Sequence, residues 1–225
     1  MTEANGRAAS PRIVILDYGM GNLRSVEKAL ARVGAAAAIS ADPAEARAAD
    51  GLILPGVGAF PAAMERVRAR GIDELIAERD SAGAPILGIC LGLQLLFGSS
   101  TELGGARGLE LFEGAVSELR AEGLKVPHIG WSPVRWERPS RLTEGIDDGT
   151  PFYFVHSFAP RPAADLVLGS ADYGERFACA AERGNVFGVQ FHPEKSSAAG
   201  LRVLSNFARL CAAARAADGA APTRA

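Results

Sequence analysis

Cysteine is scarce in this chain, and its scarcity argues against a disulfide-stapled protein. Three cysteines among 225 residues are too few for the framework of a small secreted domain, and an odd number does not pair evenly. No group of cysteine, histidine and acidic residues has the spacing of metal ligands. We therefore expect a reducing, cytoplasmic setting, with neither a metal ion nor another cofactor.

Long apolar runs and an excess of one charge sign are also missing. The chain has 24 basic and 26 acidic residues, which gives no electrostatic reason to expect nucleic acid or an anionic membrane as partner. No apolar run reaches the ~18 residues of a membrane span, and the N-terminus lacks the apolar core of a signal peptide. The length suits one α/β domain, placed at residues 11–212 between disordered tails at 1–10 and 213–225.

Strand-like and helix-like segments alternate through the first half of the chain. Apolar or β-branched runs at 12–16, 51–54 and 84–89 are each followed by a turn and a segment with helical spacing of apolar residues. This alternation predicts an α/β fold with a mostly parallel, twisted central sheet and helices on both faces. We expect Pro55 to end the third strand, and the segment 91–97 to begin a helix.

The second half of the chain has a different pattern. Short strand-like runs such as "PFYFVH", "DLVLGS" and "NVFGVQF" are separated by turn residues. They predict antiparallel strands added to the sheet. A closing helix is predicted at about residues 198–214, from apolar residues at helical spacing.

One cysteine stands in a pattern that indicates a nucleophile. In "ILGICLGLQ" a strand-like run ends at Cys90, with glycines at 88 and 92 and a helix-like segment after it. This is the G-x-nucleophile-x-G elbow known from serine hydrolases, here with a thiol. Side chains in place of the glycines would collide in the strained turn. The helix N-terminus favours the thiolate, and the N–H of Leu91 points where an oxyanion would form.

His192 is the histidine best suited to act as the base. It ends an apolar run in "FGVQFHPEKS", and Pro193 holds it in an extended conformation. Residues 192 and 194 then project to the same side, so that Glu194 can orient the imidazole. Cys90, His192 and Glu194 are the predicted catalytic triad. The remaining cysteines and histidines are interpreted as buried or hydrogen-bonded structural residues: Cys179, Cys211, His128 and His156.

A second oxyanion donor is expected from the turn in "LPGVGAF". This turn leaves the third strand, whose C-terminal end lies on the same edge of a parallel sheet as Cys90. Its glycines allow unusual backbone angles, so that an N–H of the turn can be aimed at the site.

The motifs "GICLGLQ" and "FHPE" together resemble those of the class I, or triad-type, glutamine amidotransferases. In that family the cysteine attacks the side-chain amide of glutamine, ammonia leaves, and the glutamyl thioester is hydrolysed to glutamate. The resemblance implies roles for two further sets of residues. The glutamine-binding residues are Gln94, Glu102 and Ser157, and the oxyanion residues are Gly56, Val57, Gly58 and Leu91.

Five motifs narrow the resemblance to one branch of the family. They are "DYGMGNLRSV", "LPGVGAF", "KVPHIGW", "YFVHSF" and "FGVQFHPEKS", and in this order they resemble the glutaminase subunits of imidazole glycerol phosphate synthases, in L-histidine biosynthesis. The resemblance implies a heterodimer with a (β/α)8-barrel cyclase subunit. That subunit uses the ammonia to make imidazole glycerol phosphate and aminoimidazole carboxamide ribotide. The residues implied to face it are Asn22, Trp131, Tyr153 and Lys195.

Four positions depart from the patterns of relatives, and one of them is Leu93, which stands where methionine is common. Val57 lies where simpler relatives have glycine, and a β-branched residue restricts the backbone of the turn. We expect the second oxyanion N–H to be turned away in the isolated protein and to be reoriented when the cyclase binds its ligand. Ser132 and Phe158 replace the more usual asparagine and tyrosine, which bears on partner contact and substrate binding.

Three other functions are compatible with parts of this pattern. One is a glutaminase of the same class that serves another synthase, such as that of anthranilate or pyridoxal phosphate. "PGVG" and "KVPHIGW" favour the histidine pathway over it. The second is a non-catalytic regulatory scaffold. The presence of all three triad residues argues against it. The third is a cysteine peptidase, which would hydrolyse peptides and need no barrel partner.

Overall fold

The computed structural model describes residues 10–220, and the side chains as far as residue 217. The strands are β1 (Ile13–Leu16), β2 (Ala37–Ser40), β3 (Gly51–Gly56), β4 (Ile86–Cys90), β5 (Phe97–Ser100), β6 (Ala106–Arg107), β7 (Phe112–Glu118), β8 (His128–Pro133), β9 (Arg135–Trp136), β10 (Pro151–His156), β11 (Phe158–Pro162), β12 (Val167–Tyr173), β13 (Glu175–Arg183) and β14 (Val186–Val189). The helices are α1 (Leu23–Arg32), α2 (Pro43–Arg47), α3 (Phe60–Ala69), α4 (Ile72–Ser81), α5 (Leu91–Leu95) and α6 (Ser197–Ala220). None of the helices within these bounds is long and apolar enough to cross a membrane.

The main sheet has eight strands in the order β2-β1-β3-β4-β14-β13-β12-β9. The first five strands pair in parallel, and the last three are antiparallel to their neighbours. This confirms the predicted α/β fold with added antiparallel strands. Because Gly56 pairs with Cys90 and Val189 with Ile89, the segments that leave β3, β4 and β14 emerge side by side. This edge of the sheet is where the sequence places its reactive residues.

Alternate residues of the parallel strands supply two cores, one on each face of the sheet. Ile13 and Ile15 pack with α1 and α6, while Val14 and Leu16 pack with α2, α3 and α4. All four strand residues are buried, as expected for a parallel strand covered on both sides. The helices on both faces thus follow from apolar residues at every strand position.

Two smaller sheets complete the described chain. β8 and β10 form an antiparallel ribbon, and β11, β7, β5 and β6 form a four-stranded sheet. Phe152 and Phe154 of the ribbon join the core on the side of α1 and α6. Phe97 and Phe112 of the four-stranded sheet join the opposite core, with their rings 5.3 Å apart. The second half of the chain therefore extends the central sheet and also adds two smaller sheets, each of which contributes side chains to one of the two cores.

Two element boundaries at the β3–β4 edge differ from expectation. β3 continues through Pro55 to Gly56, because Pro55 lies near the strand end and its carbonyl accepts a hydrogen bond from the hydroxyl of Tyr18 (2.7 Å). The helix after Cys90 has only five residues. It ends at Leu95 because the chain enters β5, where Phe97 is fully buried against the second core.

The closing helix also differs from expectation. It continues to Ala220 instead of ending near residue 214, so the disordered tail expected from residue 213 does not begin there. Among the side chains described, up to residue 217, its last buried residue is Cys211. The alanines that follow have the highest helix propensity, which accounts for the extra turns. Residues 1–9 and 221–225, the remainder of the expected tails, lie outside the described residues.

The joint between β4 and α5 depends on both glycines of the elbow. A Cβ on Gly88 would lie 2.7 Å from the carbonyl oxygen of Gly92, and a Cβ on Gly92 would lie 1.7 Å from the carbonyl oxygen of Leu54. Both obstacles are backbone atoms, which cannot turn aside as a flexible side chain can. The glycines therefore let α5 pack directly onto β3 and β4.

We predict that Gly92→Ala destabilises the protein, although alanine is the better helix former. The clash with Leu54 should lower the free energy of unfolding by at least about 2 kcal/mol, as for other overpacked sites. Chemical denaturation followed by circular dichroism measures the change. Gly98→Ala is the matched control, because its Cβ would lie 3.3 Å from the nearest atom and should cost much less. Equal stability of Gly92→Ala and the wild type would contradict this account of the elbow.

Candidate active site

Cys90 occupies a strained backbone conformation at the end of β4. Its φ is 55° and its ψ is -110°, in a region that residues other than glycine rarely adopt. Such outliers persist only where the surrounding structure imposes them, and they are frequent at active sites. Because α5 has only five residues, its dipole is weaker than the expected helix would supply. A thiolate at Cys90 therefore depends mainly on neighbouring side chains.

His192 and Glu194 form the second part of the predicted triad. The Nδ1 of His192 lies 2.9 Å from Oε1 of Glu194, and both side chains are almost fully buried. A carboxylate only accepts, so Nδ1 carries the proton and Nε2 remains for Cys90. His192 itself is extended as predicted, with φ -97° and ψ 96°. The contact with Glu194 forms because Pro193–Lys195 then makes a tight 3-10 turn.

The backbone of His192 is held by the neighbouring ribbon. Its N–H donates to the carbonyl of Tyr153 in β10 (2.9 Å). Its carbonyl accepts from the hydroxyl of Ser196 (2.7 Å), which in turn accepts from the N–H of Tyr153 (3.0 Å). These bonds position the imidazole relative to the sheet edge.

The charges of the triad reinforce one another. Burial disfavours an imidazolium, but hydrogen bonds and charge interactions with Cys90 and Glu194 outweigh it and raise the pKa of His192 to about 9. The ring is therefore protonated at neutral pH and can pair with a thiolate. This protonation stabilises the fold below pH 6.5, and the stabilisation is lost as the pH rises through about 9.

The turn after β3 is braced by the loop that follows β1. Tyr18 in this loop is fully buried, and its hydroxyl would lie 2.3 Å from a Cβ on Gly56. A Cβ on Gly58, whose φ is +106°, would lie 2.8 Å from the methyl group of Met20. Gly56 is thus required for packing against Tyr18, Gly58 is favoured by its positive φ, and exposed Val57 lies between them.

A cavity of about 290 Å³ joins most of the predicted site residues. It is lined by Val57, Gly58, Cys90, Leu91, Gln94, Glu102, Pro127, Val155, His156, Ser157, Phe158, His192 and Lys195. The predicted nucleophile, base, oxyanion residues and glutamine-binding residues therefore border one space, except Gly56, which ends β3 and does not line the cavity. Glu194 lies behind His192.

Two of the predicted glutamine-binding side chains are held in fixed orientations. Nε2 of Gln94 donates to the carbonyl of Phe158 (2.9 Å) and to Oε1 of Gln190 (3.0 Å), so both of its hydrogens are used. Gln94 can therefore offer a ligand only its carbonyl oxygen. Glu102 accepts from the N–H of Phe60 at the start of α3 (2.8 Å), which places a carboxylate at the cavity wall.

The histidines interpreted as structural form a buried chain beside the cavity. Nδ1 of His156 donates to the carbonyl of Phe158 (2.9 Å), and its Nε2 lies 3.2 Å from Nδ1 of His128. Nε2 of His128 lies 3.0 Å from the hydroxyl of Ser132. Burial lowers the pKa of His156 to about 3, so the ring is neutral. The hydrogen-bonded interpretation thus agrees with the geometry, although His156 also lines the cavity.

Three of the residues predicted to face a partner lie together, and the fourth, Asn22, has a second contact within the site. The rings of Trp131 and Tyr153 are 5.9 Å apart, and Nζ of Lys195 lies 6.0 Å from the Tyr153 ring. Asn22, by contrast, donates its side-chain amide to Oε1 of Glu194 (2.5 Å). Its carboxamide therefore supports the triad.

Sequence reasoning missed three contributors to the site. Tyr18 braces the oxyanion turn, Asn22 binds Glu194, and the buried side chain of Gln190 reaches Cys90. Only Gln190 had a usable signal, because it precedes His192 by two residues in an extended segment and so shares its side. Within residues 10–220, no group of three or more histidines, cysteines and acidic residues has the geometry of a metal site.

We predict that the imidazole of His192 titrates with a midpoint near pH 9. Nitrogen NMR of the histidine rings measures this midpoint, and Glu194→Gln should lower it because a neutral amide replaces the carboxylate. His156 serves as an internal control, since its ring should stay neutral from pH 5 upward. A midpoint at or below 6.5 for His192 in the wild type would contradict the proposed ion pair.

Comparison with known proteins identifies close relatives over most of the chain. A family model described as glutamine amidotransferase class-I matches residues 14–211. Imidazole glycerol phosphate synthase subunit HisH of Moorella thermoacetica is 54% identical over 199 residues, which cover 88% of this chain and 94% of the relative. The subunit of the same name in Methanosarcina barkeri is 51% identical over 202 residues, or 89% and 99% of the two chains.

Solved structures share the fold at lower identity. A Thermoplasma acidophilum protein assigned to GMP synthase has a TM-score of 0.72 and 20% identity, and the match covers 93% of this chain and 98% of that one. PurLQS from Thermotoga maritima has a TM-score of 0.65 and 22% identity, over 88% and 97%. With a family model that spans most of its length and relatives above 50% identity, the chain belongs to the class I glutamine amidotransferase family.

Proposed function

We propose that this protein is the glutaminase subunit of imidazole glycerol phosphate synthase, with a role in histidine biosynthesis. One observation carries the proposal: Cys90, His192 and the glutamine-binding candidates Gln94 and Glu102 all line one cavity, and Glu194 holds His192 from behind. The relatives of that name align over nearly their whole length. The chemistry of the cavity and the identity of the relatives therefore lead to the same reaction.

The geometry accommodates a two-step hydrolysis of glutamine. The Cys90 thiolate attacks the side-chain carbonyl carbon, and the oxyanion is received by the N–H of Leu91 and an N–H of the turn at 56–58. The His192 imidazolium gives its Nε2 proton to the nitrogen, and the C–N bond breaks to release ammonia and leave a thioester. A water molecule, deprotonated by His192, then attacks the thioester. The thiolate leaves, and glutamate is the second product.

The surface beside the cavity suits a partner that receives the ammonia. Ile129 and Trp131 project from the same side of β8 with exposures of 60% and 51%, and Val126 precedes them, also exposed. Large exposed apolar side chains that adjoin one another are typical of an interaction surface. We therefore place the cyclase, as a heterodimeric partner in the cytoplasm, against the β8–β10 ribbon and Lys195.

Cys90→Ala tests the nucleophile. In the complex with the cyclase, glutamine-dependent synthesis should fall by more than about 1,000-fold, because no thioester can form. Synthesis supplied with ammonium salt should persist, since the cyclase then needs no glutamine hydrolysis. Cys211→Ala is the control, because Cys211 is fully buried in α6 and should leave glutamine use intact. Retention of glutamine use by Cys90→Ala would overturn the proposal. If neither variant changed synthesis, the protein would be a scaffold and not a glutaminase.

A second prediction concerns control by the partner. Purified without the cyclase, the protein should hydrolyse glutamine slowly, and addition of the cyclase with its ligand should raise the rate on the order of 100- to 1,000-fold, the usual effect of one oxyanion donor. Val57→Gly should raise the rate of the isolated protein, because the turn then reorients more freely. Full turnover by the isolated wild-type protein, in a glutamate-release assay, would rule out this form of control.

A further inference from the structure

Gln190 is a buried amide beside the nucleophile that the mechanism above does not use. Its exposure is 0%, and it lies between β14 and His192. Its backbone N–H donates to the carbonyl of Cys179 in β13 (2.8 Å), so its position follows from the pairing of the sheet. Its side-chain Nε2 lies 3.6 Å from Sγ of Cys90, within hydrogen-bond distance for sulfur.

The direction of the hydrogen bond between Gln190 and Cys90 follows from the backbone carbonyl of Phe158, to which Gln190 is linked through Gln94. The carbonyl oxygen of Phe158 can only accept, so the nitrogen of Gln94 must face it (2.9 Å). The second hydrogen on that nitrogen meets the carboxamide oxygen of Gln190 (3.0 Å). Once its oxygen is committed to Gln94, Gln190 presents its nitrogen, a donor, to Cys90.

The surroundings of Sγ show why a donor matters there. The thiol lies 3.8 Å from the carbonyl oxygen of Val155, to which an S–H can donate. After deprotonation that carbonyl offers the sulfur no hydrogen bond and points a partial negative charge toward it. The short helix α5 provides only a weak dipole in compensation. The buried N–H of the Gln190 carboxamide, by contrast, donates to the sulfur and favours its anionic form, as hydrogen bonds to charged groups do.

We propose that Gln190 is a further residue of the active site: its carboxamide N–H stabilises the thiolate of Cys90, and its oxygen couples that donor to Gln94 in the cavity. The inference rests on the proposed role of Cys90 as the nucleophile. It does not depend on glutamine being the substrate, because the contacts exist before any ligand binds.

The test measures the pH dependence of Cys90 alkylation by iodoacetamide in the full-length protein, with the modified peptide identified by mass spectrometry. Gln190→Met keeps the length of the side chain and removes the donor. Its alkylation midpoint should rise by about one pH unit, the usual effect of one hydrogen bond to a charged group. Gln190→Glu keeps an acceptor for Gln94 but presents oxygen to the sulfur, so its midpoint should rise at least as far.

A matched control separates this effect from loss of stability. Asn206 is similarly buried, and its amide donates to the carbonyls of Leu142 and Glu144 (2.9 Å each), away from the cavity. Asn206→Leu should lower stability and leave the alkylation midpoint unchanged. Circular dichroism and cooperative unfolding establish which variants are folded.

Two outcomes would overturn the inference. One is an unchanged midpoint in whichever of Gln190→Met and Gln190→Glu is folded. The other is a rise in Asn206→Leu as large as in the Gln190 variants. The assay contains no glutamine, so it is independent of the proposed substrate. A raised midpoint in the Gln190 variants, with no glutaminase activity in the complex, would keep this inference and reject the proposed function.

Discussion

The parallel register of β3, β4 and β14 is the constraint on which the site depends. It places Gly56 beside Cys90 and brings the segment that carries His192 out at the same edge. The elbow can then form only because Gly92 lets α5 pack against the carbonyl of Leu54. A shift of one residue in any of these pairings would send the three reactive segments to different faces of the sheet.

Backbone carbonyls orient many of the polar side chains around this edge. The carbonyl of Pro55 holds Tyr18, and the carbonyl of Phe158 holds both Gln94 and His156. A carbonyl can only accept, so each contact decides which polar atom of the side chain carries the donated hydrogen. The orientation of Gln190 toward Cys90 follows in the same way. The site is therefore organised by hydrogen-bond direction, in addition to the charges of the triad.

Much of the fold was predictable because its signals are local. The alternation of apolar runs and amphipathic segments predicted the parallel sheet. The start of α2 is equally local, because the side chain of Asp42 accepts a hydrogen bond from the N–H of Ala44. The length of α5 was not predictable from periodicity, because burial of Phe97 against a distant strand ends the helix. The contact of Asn22 with Glu194 joins residues 172 positions apart, and no local pattern announces it.

The sequence by itself determined the chemistry that this protein can perform. A thiol between two glycines, a histidine followed two residues later by a carboxylate, and five ordered motifs are readable without coordinates, because each depends on neighbours in the chain. Only the tertiary structure decided how these groups meet. It placed Glu194 against His192 through a tight turn, brought the amide of Asn22 to Glu194, and brought Gln190 to the sulfur. Those contacts arise from strand register and from the direction of long-range hydrogen bonds, which exist only once the sheet has formed.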